Sequence, residues 1–312
     1  MAGHDWARAE RERRITSRRR FPIYFNLGLG DGILSADELA AFRDSFQAPE
    51  ATREMVRNYV DTPRRQGGTR AAVLLDAITS EIDTMMTGDQ EQAARALLAA
   101  ADLFLNPVDD RRTANGLPRM WAVSFAIEPF FRGLAETTIA KLIGEAIEGP
   151  SPLTAAFFVT IMASEHGRGG EKEAKPEDER RLSLEHVESL EQRLVDRVAR
   201  DAATGDLVKR RDAASLIWWW QESAGPAVRS WIDANLDTEG FAPWLMATFT
   251  SEGVGQAMGD MVGQRMYTVN RDSLSKLVDV DRLNAIAERR IANGEDSDQA
   301  AAHFVAGLKS RY

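Results

Sequence analysis

Leu184-Glu-His-Val187-Glu-Ser-Leu190-Glu-Gln-Arg-Leu194-Val-Asp-Arg-Val198 decides the fold class of this chain. Its apolar residues recur at intervals of three and four, which lines them along one face of a helix and leaves charges on the other. The same period continues outward in both directions. Ala94, Leu97, Leu98, Ala101, Phe104 and Leu105 form one such stripe, and Leu283, Ile286, Ala287 and Ile291 form another. Alternating runs bounded by turns are nearly absent. The short strand candidates are Ile23 to Leu27 and Met266 to Val269. The reading is therefore all-α, a multi-helix array of roughly a dozen helices, with room for a minor β element near residues 21–29.

Start and stop signals agree with that reading. Ser35-Ala-Asp-Glu38 has the form of a capping box, in which serine and glutamate side chains satisfy each other's backbone N–H groups. Ser151-Pro152 places a cap before a proline at a first helical position. Gly133, Gly149, Gly205 and Gly294 stand where helices end. One stretch breaks the pattern. Residues 167–181, GRGGEKEAKPEDERR, are charged and almost free of apolar side chains, so they read as a flexible loop that adds nothing to a core. The expected organisation is an N-terminal arm over 1–34, a helical subdomain over 35–166, the loop over 167–181 and a second helical subdomain over 182–312.

The bulk numbers bound the function. The 312 residues suffice for one large domain or two ordinary ones, and 44% hydrophobic content is enough for a buried core. The formal net charge of −9 argues against a general nucleic-acid binder. The chain has no cysteine, which excludes disulfides, thiolate nucleophiles and cysteine metal sites. No apolar run of about 18 residues appears, so no membrane span is expected. The setting that fits is cytoplasmic.

Motif by motif, catalytic chemistry fails on residue identity. The dipeptide Gly-Lys of a phosphate-binding loop does not occur. Val73-Leu-Leu-Asp76 imitates a strand ending in a magnesium-holding aspartate, but Leu74, Ile78, Ile82 and Met85 continue at helical spacing. Gly30-Asp-Gly32 imitates half of a calcium loop, yet the ligand positions fall on Leu27 and Leu29. His4, His166, His186 and His303 form no metal-binding spacing. No catalytic, metal or cofactor-binding residue is assigned, and no cofactor is expected.

Two features point instead to a partner. Arg11, Arg13, Arg14, Arg18, Arg19 and Arg20 precede Phe21, Tyr24 and Phe25, an apolar anchor with a charged rim. Trp218, Trp219 and Trp220 are consecutive, and on a helix they point about 100° apart, so one narrow core face does not bury all three: either core surrounds the helix, or one ring reaches a partner or a ligand groove. The candidate interface is therefore Arg13, Arg14, Arg18, Phe21, Tyr24, Phe25, Trp218, Trp219 and Trp220. Trp231 and Trp244 belong to the same tryptophan-rich stretch.

The order of these motifs resembles the C-terminal helical region of bacterial KAP-type P-loop NTPases. The matching positions are Trp6, Arg13-Arg14-Ile15-Thr16-Ser17, Phe21, Tyr24-Phe25, Asp31-Gly32 and Ser35 to Leu39. Gly205-Asp-Leu207 and Trp219-Trp220 follow, then Tyr267 to Leu274, Leu277-Val-Asp279 and Leu283. The family's Walker A and Walker B sequences lie upstream of the matched stretch, and this chain begins after them. The resemblance thus carries no ATPase residue onto it. What it implies is a non-enzymatic regulatory or protein-interaction region that docks on a P-loop NTPase module in cis or in trans, in the phage-defence setting of that family. A homo-oligomer is the second partner class. The alternatives are a cryptic enzyme with a carboxylate site between helices, and nucleic-acid binding through the arginine arm.

Overall fold

The computed structural model describes residues 35–60, 74, 78, 89–105, 123, 124, 126–168, 173–203, 213, 216, 226–249, 271–297 and 299–309. Among these residues the protein is all-α. Ten helices have nine residues or more, one has five, two are short 3-10 turns, and there is no strand. The strand candidates near residues 21–29 and 266–269 lie outside the described residues. The chain divides into two compact units, Met1–Thr154 and Ala155–Tyr312.

In the first unit, α1 (Ala36–Ser45) leads to α2 (Pro49–Val60), which packs on α3 (Gln90–Leu105). A 3-10 turn at Glu128–Phe131 and α4 (Glu136–Glu148) also pack on α3. The reason is its composition. Ala94, Leu97, Ala101 and Phe104 are buried, and alanines on the same face let neighbouring backbones approach. The stripe read from sequence is therefore the centre of this unit. Leu74 and Ile78 are helical and buried, which favours a helix core over a magnesium-binding strand end.

The cap at Ser35 forms as its letters require. Glu38 N–H donates to Ser35 Oγ at 3.2 Å, and Ser35 N–H donates to Glu38 Oε2 at 2.9 Å. Replacing Ser35 by alanine removes one acceptor and frees an N–H. The expected cost is about 1 kcal/mol, read from the urea midpoint of the full chain.

α5 (Pro152–Ser164) is apolar nearly all round and buried on most sides, and the division between the units falls within it. Pro152 occupies its first position, as expected. Ser151 Oγ accepts from the Asp102 backbone N–H at 3.1 Å, which ties the end of α3 to the start of α5.

The second unit continues through α6 (Leu184–Ala203), α7 (Pro226–Asn235), α8 (Phe241–Phe249), α9 (Arg271–Ser275), α10 (Val280–Ala292) and α11 (Ala300–Lys309). α6 packs on α7, and α8, α10 and α11 pack together. Val187, Leu190, Leu194 and Val198 are buried as their period predicts, whereas Leu184 stays 40% exposed. As the first helical residue, its side chain lies over the turn before the helix rather than along the buried face. Leu283 and Ala287 are buried, and Ile291, at the far end of that stripe, is 42% exposed. α10 stops at Gly294, whose φ of +71° closes a Schellman turn: Glu295 N–H reaches Arg290 C=O at 2.9 Å.

Candidate functional site

All nine residues of the sequence-read interface lie outside the described residues: Arg13, Arg14, Arg18, Phe21, Tyr24, Phe25, Trp218, Trp219 and Trp220. Two other constellations in the second unit take shape from the described chain.

The first grows from the end of α5. Gly167 N–H donates to Ser164 C=O at 3.1 Å, and Arg168 N–H donates to Ala163 C=O at 3.2 Å, the paired closure of a Schellman motif. That motif needs a left-handed residue, and Gly167 supplies it with φ +73°. The turn sends Arg168 across α6. Its Nη1 donates to Glu191 Oε2 at 3.0 Å and its Nη2 to Glu188 Oε1 at 2.5 Å. Glu191 is buried on the same face as Val187, Leu190 and Leu194. Burial pushes its carboxyl above the usual range, the Arg168 charge opposes this, and the Glu188 charge adds to the rise.

Glu165 sits two residues before Gly167 and is also buried. Its Oε1 accepts from Lys175 Nζ at 2.9 Å and from Arg181 Nε at 2.8 Å, and its Oε2 accepts the Arg181 backbone N–H at 3.0 Å. Burial pushes this carboxyl up. The hydrogen bonds from Lys175 and Arg181 outweigh that and hold it below the usual range. Next to it, His166 Nε2 donates to Leu182 C=O at 2.9 Å. Two buried carboxylates near one turn thus titrate in opposite directions. Each is engaged by an arginine, which suits holding the chain in place rather than exchanging protons with a substrate.

The charged stretch 167–181 therefore has a role that its composition hides. Its apolar content is negligible, yet Arg168, Lys175 and Arg181 supply the cations that buried Glu165 and Glu191 require. Among the described residues no group of three or more histidine, aspartate or glutamate side chains is placed to hold a metal ion. His186 Nδ1 meets Ser183 Oγ at 3.0 Å.

The second constellation is aromatic. Trp231 on α7 meets Phe241, the first residue of α8, edge to face, with centroids 5.2 Å apart and planes at 88°. Phe241 meets Trp244 at 5.5 Å. All three are half-buried, so each presents ring surface outward. Asn235 Nδ2 holds Trp231 C=O at 2.8 Å and Thr248 Oγ1 holds Trp244 C=O at 2.8 Å, fixing the two turns of helix that carry the rings. From α10, Arg282 Nη1 donates to Asp233 C=O on α7 and its Nη2 to Asp237 Oδ2 in the turn that follows.

Comparison with protein-family models, with curated proteins and with solved structures returns no match. No described helix is long and apolar enough to cross a membrane.

Proposed function

We propose that this chain is a non-catalytic regulatory or protein-interaction region akin to the C-terminal helical part of KAP-type P-loop NTPases, and that it binds such an NTPase module. The observation that carries the reading is the half-buried triplet Trp231, Phe241 and Trp244. Tryptophan and phenylalanine are enriched in protein interfaces, and rings in mutual contact, Trp231 edge to face with Phe241 and Trp244 tilted against it, present a pre-organised anchor at little entropic cost. The ordered motifs from Trp6 to Leu283 supply the identity of the partner. Within this proposal the setting is the bacterial cytoplasm and the process phage defence; the bacterial origin and the process are taken from the resemblance, and the cytoplasm from the cysteine-free composition.

The test mixes the purified full chain with a KAP-type NTPase module and follows association by light scattering. Binding is expected, and the double variant Trp231→Ala, Trp244→Ala is expected to weaken it at least about thirtyfold, the effect of losing one hot spot. Absence of association with the unaltered chain overturns the proposal. Association that ignores the double variant removes the triplet from it.

A further inference from the structure

Residues 173–182 lie on the second unit with almost no apolar burial. Residues 173–179 are exposed, and Leu182 is the buried apolar side chain of the segment. Polar anchors hold it instead, and those described here converge on two adjacent residues. Lys175 N–H donates to Glu165 C=O at 2.8 Å. Lys175 Nζ, Arg181 Nε and Arg181 N–H all donate to the Glu165 carboxylate. Leu182 C=O accepts from His166 Nε2. Further bonds, Glu179 N–H to Pro176 C=O and Arg180 Nε to Lys175 C=O, are internal to the segment and move with it. A stretch with few buried apolar contacts opens locally, well below the free energy of global unfolding.

We infer that residues 173–182 form a strap that opens as one unit with Glu165 as its latch. Neutralising this carboxylate releases the strap and bares Leu182, while α5 and α6 stay folded. The groups facing Glu165 are Lys175 and Arg181 from the strap itself. Among the described residues, His166 is turned to Leu182 C=O, Arg180 donates to Lys175 C=O within the strap, and Arg168 is engaged by Glu188 and Glu191. Because the Glu165 carboxyl is held below its usual range, the latch is closed above the ordinary carboxylate value. It is lost as pH falls through the lowered one. The strap is thus a device closed at neutral pH and opened by acid or by charge removal. It stands independently of the partner proposed above.

The Arg181 amide donates to the Glu165 carboxylate and reports the latch directly, while the Lys175 amide donates to the Glu165 backbone C=O and reports whether the strap opens with it. Hydrogen exchange of the full chain, with the variant Glu165→Gln, tests it. Removing the Glu165 charge leaves the largely buried Arg181 uncompensated, whereas the half-exposed Lys175 returns to water, so exchange at these two amides is expected to rise about a hundredfold, with α5 and α6 amides changed by less than about threefold. Unchanged exchange at the two amides overturns the inference. So does acceleration spread equally through α6, which would make Glu165 part of the global core. Should the variant fail to fold, the unaltered chain is followed from about pH 7 to about pH 3, with intrinsic rates corrected. Loss of protection in the strap before α6 supports the latch, and simultaneous loss overturns it.

Discussion

Replacing Arg168 by methionine is expected to destabilise the second unit by about 3–4 kcal/mol at neutral pH, because Glu191 is then left buried and charged without its cation. Glu191 Oε2 lies 3.0 Å from Arg168 Nη1 and is nearly inaccessible to water, while the adjacent Glu188 repels it. Methionine keeps most of the apolar stem of arginine, so the loss measures charge rather than volume. The pH dependence gives the sign. The folded-state value of Glu191 is raised, so its ionisation weighs against the folded state above that value and ceases to do so as pH falls through it. The penalty of Arg168→Met should therefore shrink on mild acidification, starting above the ordinary carboxylate range. The double variant Arg168→Met, Glu191→Leu should regain wild-type stability or exceed it, since an apolar pair of similar volume avoids desolvating charge. Urea midpoints at two pH values read both effects. A penalty that does not change with pH, or simple additivity in the double variant, would sink this account of Glu191.

The helical class was legible in the sequence because burial follows period. Val187, Leu190, Leu194 and Val198 are buried at the spacing that announced them, and the Ser35 capping box forms from its four letters. Helix ends were legible where a glycine follows the last apolar residue, as at Gly294. The buried carboxylates were not read, for two different reasons. Glu191 had a signal: it lies four residues after Val187 and four before Val195, on the core face of α6. A charge at a core-face position demands a partner, and that demand was the missing step. Glu165 has no comparable signal. It follows the apolar run of α5, and its cations come from a stretch whose composition speaks only of solvent. Periodicity sees apolar faces, whereas ion pairs between residues 10 and 16 apart in sequence depend on how a turn folds back. The aromatic triplet was half legible. Tryptophan enrichment marked residues 218–244, but which rings meet depends on the α7–α8 turn, where Gly240 adopts φ +78°.

Replacing Phe130 by alanine is expected to cost about 3–5 kcal/mol, the range for emptying a fully buried phenylalanine site. Phe130 is inaccessible to solvent and sits on the 3-10 turn Glu128–Phe131. Its ring meets Phe46 edge on, with centroids 6.4 Å apart and planes at 85°, and Phe46 in turn meets Phe42 at 5.0 Å. This row of rings joins the end of α1 to the 3-10 turn that packs on α3. The cavity cannot close easily, because the backbone beneath it is pinned: Gln90 Nε2 donates to Phe130 C=O at 2.7 Å and also to Arg132 C=O. A pinned wall keeps the void open, which places the cost toward the upper end of the range. The edge-to-face contact adds a coupling that a double-mutant cycle isolates. Phe46→Ala and Phe130→Ala together should cost about 1 kcal/mol less than their separate losses summed, since each removes the same ring pair. Phe130→Leu, which refills most of the volume, should recover more than half of the loss without restoring that coupling. If the cycle closes with no coupling, the rings merely share a core, and the row does not act as the tie between α1 and the turn.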